Sequence, residues 1–228
     1  ENSFQFSIFK SDLVKPDIQS LIELSENEVF KNELIRKGMY HHILDYNVSI
    51  TAKDIATYID LWNWKELVEK HHLKINWNEK DVFQLFCKYG DGSVWNVISD
   101  KAPIDNIKSV IQEYPEYWNW TKLTERFEND FIKQEIENFN WDFEELSYKE
   151  DNLVISLLSN PTLKVRDWDW NYLSKNLPDD FIEQHIEHFT WDFYLITEVK
   201  SSILRNLLAK EKSNNEYAKV LLSKPWNW

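Results

Sequence analysis

One run in this chain brings imidazole and carboxylate groups together: His185-Ile186-Glu187-His188. Two histidines three positions apart share one face of a helix, and imidazole with carboxylate is a ligand set for zinc and its neighbours. A metal-dependent enzyme built on His185 and His188 is therefore one reading of the sequence. Against it, residues 118–147 align with 168–197 at an offset of fifty, and there His185 and His188 stand opposite Glu135 and Asn138. The fold does not require histidine at these positions, and a solvated surface pair is the simpler reading. His41-His42 and His71-His72 are weaker still, because adjacent side chains on a helix point in different directions. No Ser-His-Asp order, Gly-x-Ser-x-Gly or His-Glu-x-x-His run occurs. Gly90-Asp91-Gly92 lacks the preceding strand and the Lys-Ser/Thr ending of a phosphate loop. The paired carboxylates Glu144-Glu145 and Asp179-Asp180 fall at capping and solvent-facing positions, where nothing raises a carboxylate pKa. The expectation is a protein that is not an enzyme, with no catalytic residue, no metal and no cofactor.

Aromatic rings are the next candidates for chemistry. The chain has twelve Trp, and exposed rings stack on sugars and on single-stranded bases. A carbohydrate- or nucleic-acid-stacking module is thus an alternative function. Tyr172 and Tyr194 are its better candidates, since their counterparts in the other copy are Lys122 and Glu144. The Trp residues keep register with helix starts, which points to burial between helices.

Charge gives the preferred functional reading. The whole chain carries a formal charge of -13, which disfavours binding to a phosphate backbone. Residues 125–198 hold eighteen Asp and Glu against six Lys and Arg, whereas residues 199–228 hold two against six. The acidic excess therefore sits in the aligned copies. An acidic face there predicts a basic peptide or another protein as partner, docking through Glu135, Glu144, Glu145, Asp179, Asp180, Glu183 and Glu187. The alternative is a charged surface that keeps a Trp-rich protein in solution.

The elements that position these groups are read from one recurring phrase. Trp118-Asn119-Trp120-Thr121-Lys122-Leu123 returns as Trp168-Asp169-Trp170-Asn171-Tyr172-Leu173, and in altered form at Trp62, Trp141, Trp191 and Trp226. Asn or Asp caps a helix, and the Trp before it is expected to staple onto the Leu five residues on. Thirteen of thirty aligned positions are identical between the two copies, and Trp141 falls 23 residues after Trp118 and 27 before Trp168. The spacing predicts units of 23–27 residues doubled to fifty. Each holds a short helix and a second one presenting Ile132, Ile136 and Phe139, or Ile182, Ile186 and Phe189. Acidic caps are expected at Asn129-Asp130 and Asp179-Asp180. Earlier in the chain, boxes are expected at Ser25 with Glu28, Thr51 with Asp54, Asn63 with Glu66 and Asn78 with Asp81, and a cap at Asp105.

Three glycines in the chain leave few positive-φ turns, which favours helices over hairpins. The fold class is all-α: a right-handed-type stack of short helix pairs with Trp-Asn/Asp-Trp helix starts. Residues 1–44 form an N-terminal helical cap, and 45–228 the Trp-rich array. The array resembles α-solenoids of the tetratricopeptide and HEAT kind, and that resemblance implies a curved binding surface and a scaffold for protein–protein interaction. Cys87 is the single cysteine. It excludes an intramolecular disulfide and points to a reducing, cytoplasmic compartment. No apolar run reaches a membrane span. The chain opens at Glu1 with no initiator Met, and Trp226-Asn227-Trp228 repeats the phrase with no helix after it. The expectation is a trimmed chain whose array continues.

Overall fold

The computed structural model describes residues 49–57, 59, 62–211 and 223–226. The expected box at Ser25 and Glu28, the proposed cap domain 1–44 and His41-His42 lie outside them. Among the described residues the fold is all-helical, with thirteen helices and no strand. One isolated parallel bridge joins Ile50 to Ile75. The chain divides into two compact units, Glu1–Trp118 and Asn119–Trp228.

The first unit contains α1 (Ala52–Thr57), α2 (Trp64–His71), α3 (Lys80–Tyr89), α4 (Gly92–Lys101) and α5 (Ile104–Val110). The box at α1 forms in both directions: Thr51 N–H donates to Asp54 Oδ2 at 2.8 Å, and Asp54 N–H to Thr51 Oγ1 at 3.2 Å. Asn63 caps α2 by accepting from Glu66 N–H. Asn78 does not cap α3. Its side-chain oxygen accepts instead from Asn106 Nδ2, 28 residues away, and the cap position falls one residue later, at Glu79. Pro103, not Asp105, occupies the cap of α5, and Asp105 lies in the first turn. Asp91 caps α4 through Ser93 and Val94 N–H. The glycine before it is forced by packing, since a Cβ on Gly90 would come within 2.7 Å of the Phe86 carbonyl oxygen. Helices pack on the next but one, α1 on α3 and α2 on α4.

The second unit contains α6 (Trp120–Arg126), α7 (Asn129–Gln134), α8 (Phe143–Leu146), α9 (Asp151–Leu158), α10 (Trp170–Asn176), α11 (Asp179–Gln184), α12 (Phe193–Val199) and α13 (Ser201–Glu211). Again α6 packs on α8, α7 on α9, α10 on α12 and α11 on α13. Asn119, Asp142, Asp169 and Asp192 cap their helices as expected, each accepting from the N–H three residues on. The acidic pairs do not cap. Glu128 and Pro178 take those positions, and Asn129, Asp130, Asp179 and Asp180 fall in the first turn. There they still favour the helix by facing its positive end.

The expected staple ties each leading Trp to its own helix, but the polar contact of the indole runs backwards. The indole N–H of Trp141 donates to Glu135 O at 2.9 Å, of Trp168 to Leu163 O at 2.8 Å and of Trp191 to His185 O at 2.9 Å. In the first unit Trp62, Trp77 and Trp118 do the same to Ile55, His72 and Ile111. In the second unit these carbonyls also accept a backbone N–H, from Asn138, Arg166 and His188, so the indole adds a second donor to the turn while its ring fills the core. These six rings are only 4–7% exposed. Helices α7 and α11 stop early, at Gln134 and Gln184, and the chain turns there, Asn138 and His188 N–H donating to the carbonyls of Glu135 and His185. Ile136, Phe139, Ile186 and Phe189 lie past the helix, in turns.

A second recurring bond joins successive helix starts. The hydroxyls of Thr124, Ser147 and Ser174 are buried and accept from the N–H of the next cap residue, Asp142, Asp169 and Asp192, at 3.0, 2.9 and 2.8 Å. Rings follow the same rule. The aromatic residue after each cap meets the next leading Trp edge to face, at 5.7 Å for Trp120 on Trp141, 5.1 Å for Phe143 on Trp168, 5.5 Å for Trp170 on Trp191 and 4.9 Å for Phe193 on Trp226. This is the geometry aromatic quadrupoles prefer.

Candidate functional site

The start of α8 and the turn before α10 meet at a surface groove of about 500 Å³ in the second unit. Its charged and aromatic lining includes Glu137, Asp142, Phe143, Glu144, Arg166 and Asp167. A second depression of about 540 Å³ shares Glu144 and Asp167 and continues over Asp169 to Trp170. The walls are the turn after α7 running into the start of α8, and the turn before α10, with Asp142 and Asp169 as the cap residues of those two helices.

Capping occupies two of these acids fully. Asp142 accepts from Glu145 N–H through Oδ1 and from the Thr121 hydroxyl through Oδ2. Asp169 accepts from Tyr172 N–H and, at 2.7 Å, from the Tyr148 phenol. The phenol bond holds the Asp169 carboxyl below the ordinary carboxylate range and pushes Tyr148 up to about 12. Asp142 and Asp169 thus contribute fixed negative charge. Glu137 accepts a long bond, 3.4 Å, from Asn160. The carboxylates of Glu144 and Asp167, at the junction of the two depressions, have no hydrogen-bond or ion-pair partner among the described residues. Arg166, exposed in the same groove, lays its guanidinium over the Phe143 ring at 5.5 Å.

Of the acidic residues singled out from the sequence, Glu144 lines this groove. The others are spread along other edges. Glu145 is half-buried behind the cap of α8, and Glu135 accepts from its neighbour Asn138. Asp179 accepts from Lys200 at 2.6 Å and from Ser202, and Glu183 from Asn206, so both fasten α11 to α13. The Lys200 bond is the main cause of the lowered Asp179 pKa. Asp180 and Glu187 are exposed. Tyr172 packs edge to face on Tyr148 at 4.7 Å, while Tyr194 is 53% exposed.

The histidines do not share a helix face, because α11 ends before them and His185 is its C-cap. The His185 ring packs at 4.5 Å from Phe181 and 5.7 Å from His188. Burial pushes its pKa down, with His188 and Lys164 adding to the effect. Among the described residues no group of three His, Cys, Asp or Glu side chains could hold a metal ion. None of the described helices is long and apolar enough to cross a membrane.

The sequence reading missed Glu137, Asp167 and Arg166. Arg166 and Asp167 precede a leading Trp, and that position on the turn before a helix is a signal local sequence could have supplied.

No family model, no curated protein and no solved structure matches this chain.

Proposed function

We propose that the chain is a non-enzymatic helical-repeat scaffold that binds a basic segment of another protein in the groove between α8 and the start of α10. In this reading the second unit is a solenoid-like stack of short helix pairs, doubled at fifty residues, and its surface is the binding element. The observation that carries the proposal is the pair Glu144 and Asp167. Their carboxylates stand unpartnered in the groove, between the fixed charges of Asp142 and Asp169. A basic partner would gain attraction there without breaking an internal ion pair. The site is narrower than the acidic face expected from the sequence, since Asp179 and Glu183 are committed to α13. An aromatic-stacking function would rest on exposed Tyr194, because the leading Trp rings are buried.

The test is a titration of a fluorescent peptide of alternating Lys and Arg, followed by anisotropy at several salt concentrations. Wild type should bind with an affinity that falls as salt rises. The double substitution Glu144→Lys with Asp167→Lys should weaken binding at least about tenfold and flatten the salt slope, each charge pair at a partly buried interface contributing about 1 kcal/mol or more. Unchanged affinity and slope would remove the groove as the site.

A further inference from the structure

We propose that Arg166 is an in-chain occupant of the groove, and that the partner's binding group is an arginine that takes its place over Phe143. The proposal rests on the reading of the groove as a docking site and adds what docks and what must move.

Arg166 is the only cation in the groove lining, which also holds Glu137, Asp142, Glu144 and its neighbour Asp167. It makes no ion pair with any of them among the described residues. Its guanidinium lies on a ring instead, 5.5 Å from the Phe143 centroid. That ring is held at its cap by Asp142 and at its edge by Trp168, 79° from its plane. A fixed aromatic face beside unpaired carboxylates is a seat for a planar, weakly hydrated cation that stacks and hydrogen-bonds at once. The Arg166 backbone is tied into the turn, its carbonyl accepting from Trp168 N–H at 2.9 Å. Its side chain is exposed, so it can leave the ring without opening the turn. The corresponding ring of the other copy, Phe193, carries Lys224 at the same 5.5 Å. A cation on this ring is therefore a recurring feature, and at Phe143 it coincides with Glu144 and Asp167 left free. While Arg166 stays there, it screens those carboxylates and covers the ring.

Labelled hexa-arginine and hexa-lysine, titrated into the full chain by anisotropy at low salt, separate the outcomes. Hexa-arginine should bind the tighter of the two. Arg166→Ala should tighten hexa-arginine by about two- to fivefold, the worth of an exposed cation–π contact. Phe143→Leu should erase the preference between the peptides while leaving salt-dependent binding. Equal binding of both peptides with no gain in Arg166→Ala, or a loss in that variant, would overturn the proposal and leave the docking reading standing. No binding of either peptide to wild type or Arg166→Ala would remove both. Circular dichroism of each variant checks its fold, and Arg166→Ala alone decides if Phe143→Leu does not fold.

Discussion

Residues 119–147 and 169–197 are built on the same bonds and present different surfaces. In both, a cap accepts from the N–H three residues on, a buried hydroxyl accepts from the next cap, and an indole closes the end of the preceding helix. Even the ring distances agree, 5.7 Å for Trp120 on Trp141 and 5.5 Å for Trp170 on Trp191. What differs lies outside. Glu144 becomes Tyr194, Lys122 becomes Tyr172, Glu135 becomes His185 and Thr121 becomes Asn171. The buried bonds specify the fold, and the positions free of them are where the two copies differ in the charge and rings they present.

The equivalence can be broken most severely at the leading Trp. Trp141→Ala and Trp191→Ala should each destabilise the second unit by about 3–5 kcal/mol, as for other large aromatic truncations. Losses in urea unfolding that differ by more than about 1.5 kcal/mol would show that the copies are not energetically equivalent, a spread core sites of the same chemistry do reach. Should the Ala variants fail to fold, Trp141→Phe and Trp191→Phe keep most of the ring and remove one hydrogen bond each, at about 0.5–1.5 kcal/mol.

The hydroxyls come next. Thr124→Val and Ser174→Ala leave the N–H of Asp142 or Asp192 without its acceptor in a buried place, which costs about 1–3 kcal/mol. Amide exchange should quicken at Asp142 in the first variant and at Asp192 in the second. Thr124→Ser keeps the acceptor and should lose less than about 1.5 kcal/mol, the usual limit for a small change of buried volume. If it destabilises as much as Thr124→Val, the methyl group and not the bond is what Thr124 contributes.

These two kinds of bond were not equally visible in the sequence. Caps such as Asn63, Asn119 and Asp142 are legible because donor and acceptor sit three residues apart, and local spacing fixes them. Asn78 shows the limit, since Asn106 competes for its oxygen from 28 residues away. The backward direction of each Trp depends on where the preceding helix or turn leaves a carbonyl within reach, 5 to 7 residues before the ring. The hydroxyl bonds span 18 to 22 residues. Their signal was present as a Thr or Ser five residues after each cap, at 124, 147, 174 and 197, but its partner emerges only once helices pack. The groove is hidden for the same reason. Glu144 stood out as one of a charged pair and Asp167 had its place before a leading Trp, whereas Glu137 acquires meaning only when α8 meets the turn before α10.

A smaller difference separates the caps themselves. Asp142 accepts from both Glu145 N–H and the Thr121 hydroxyl, while the side-chain bond recorded at Asp192 is from Leu195 N–H. Replacing either by Ala should cost about 0.5–2 kcal/mol, with Asp142→Ala the larger. In a Thr121→Val background that excess should vanish. If it remains, Asp142 stabilises the copy by a route other than these two bonds.

The smallest expected effect is a difference in pH dependence, because the first cap of one copy is Asn119 and of the other Asp169. An Asn cap does not titrate. Asp169 does, and the Tyr148 phenol holds its pKa below the usual value in the folded state. A carboxyl with a depressed folded pKa contributes stability that is complete above the unfolded value, about 3.9, and is lost as pH falls through the folded one. The phenol has the opposite sign. Raised to about 12 in the fold from about 10 when free, it keeps the bond below the lower value and loses it as pH climbs through the upper. One hydrogen bond thus has an acid and an alkaline flank, and the acid one belongs to the cap of the second copy. Asp169→Asn should remove the acid flank and leave that cap as insensitive as Asn119. Melting temperatures of wild type and Asp169→Asn, measured from pH 6 down towards pH 2.5, should differ most near neutrality and converge in acid. Asp179, lowered by Lys200, adds its own acid loss to both proteins and cancels in the difference. A gap that stays constant across that range would mean the cap is held by something other than the carboxylate's charge.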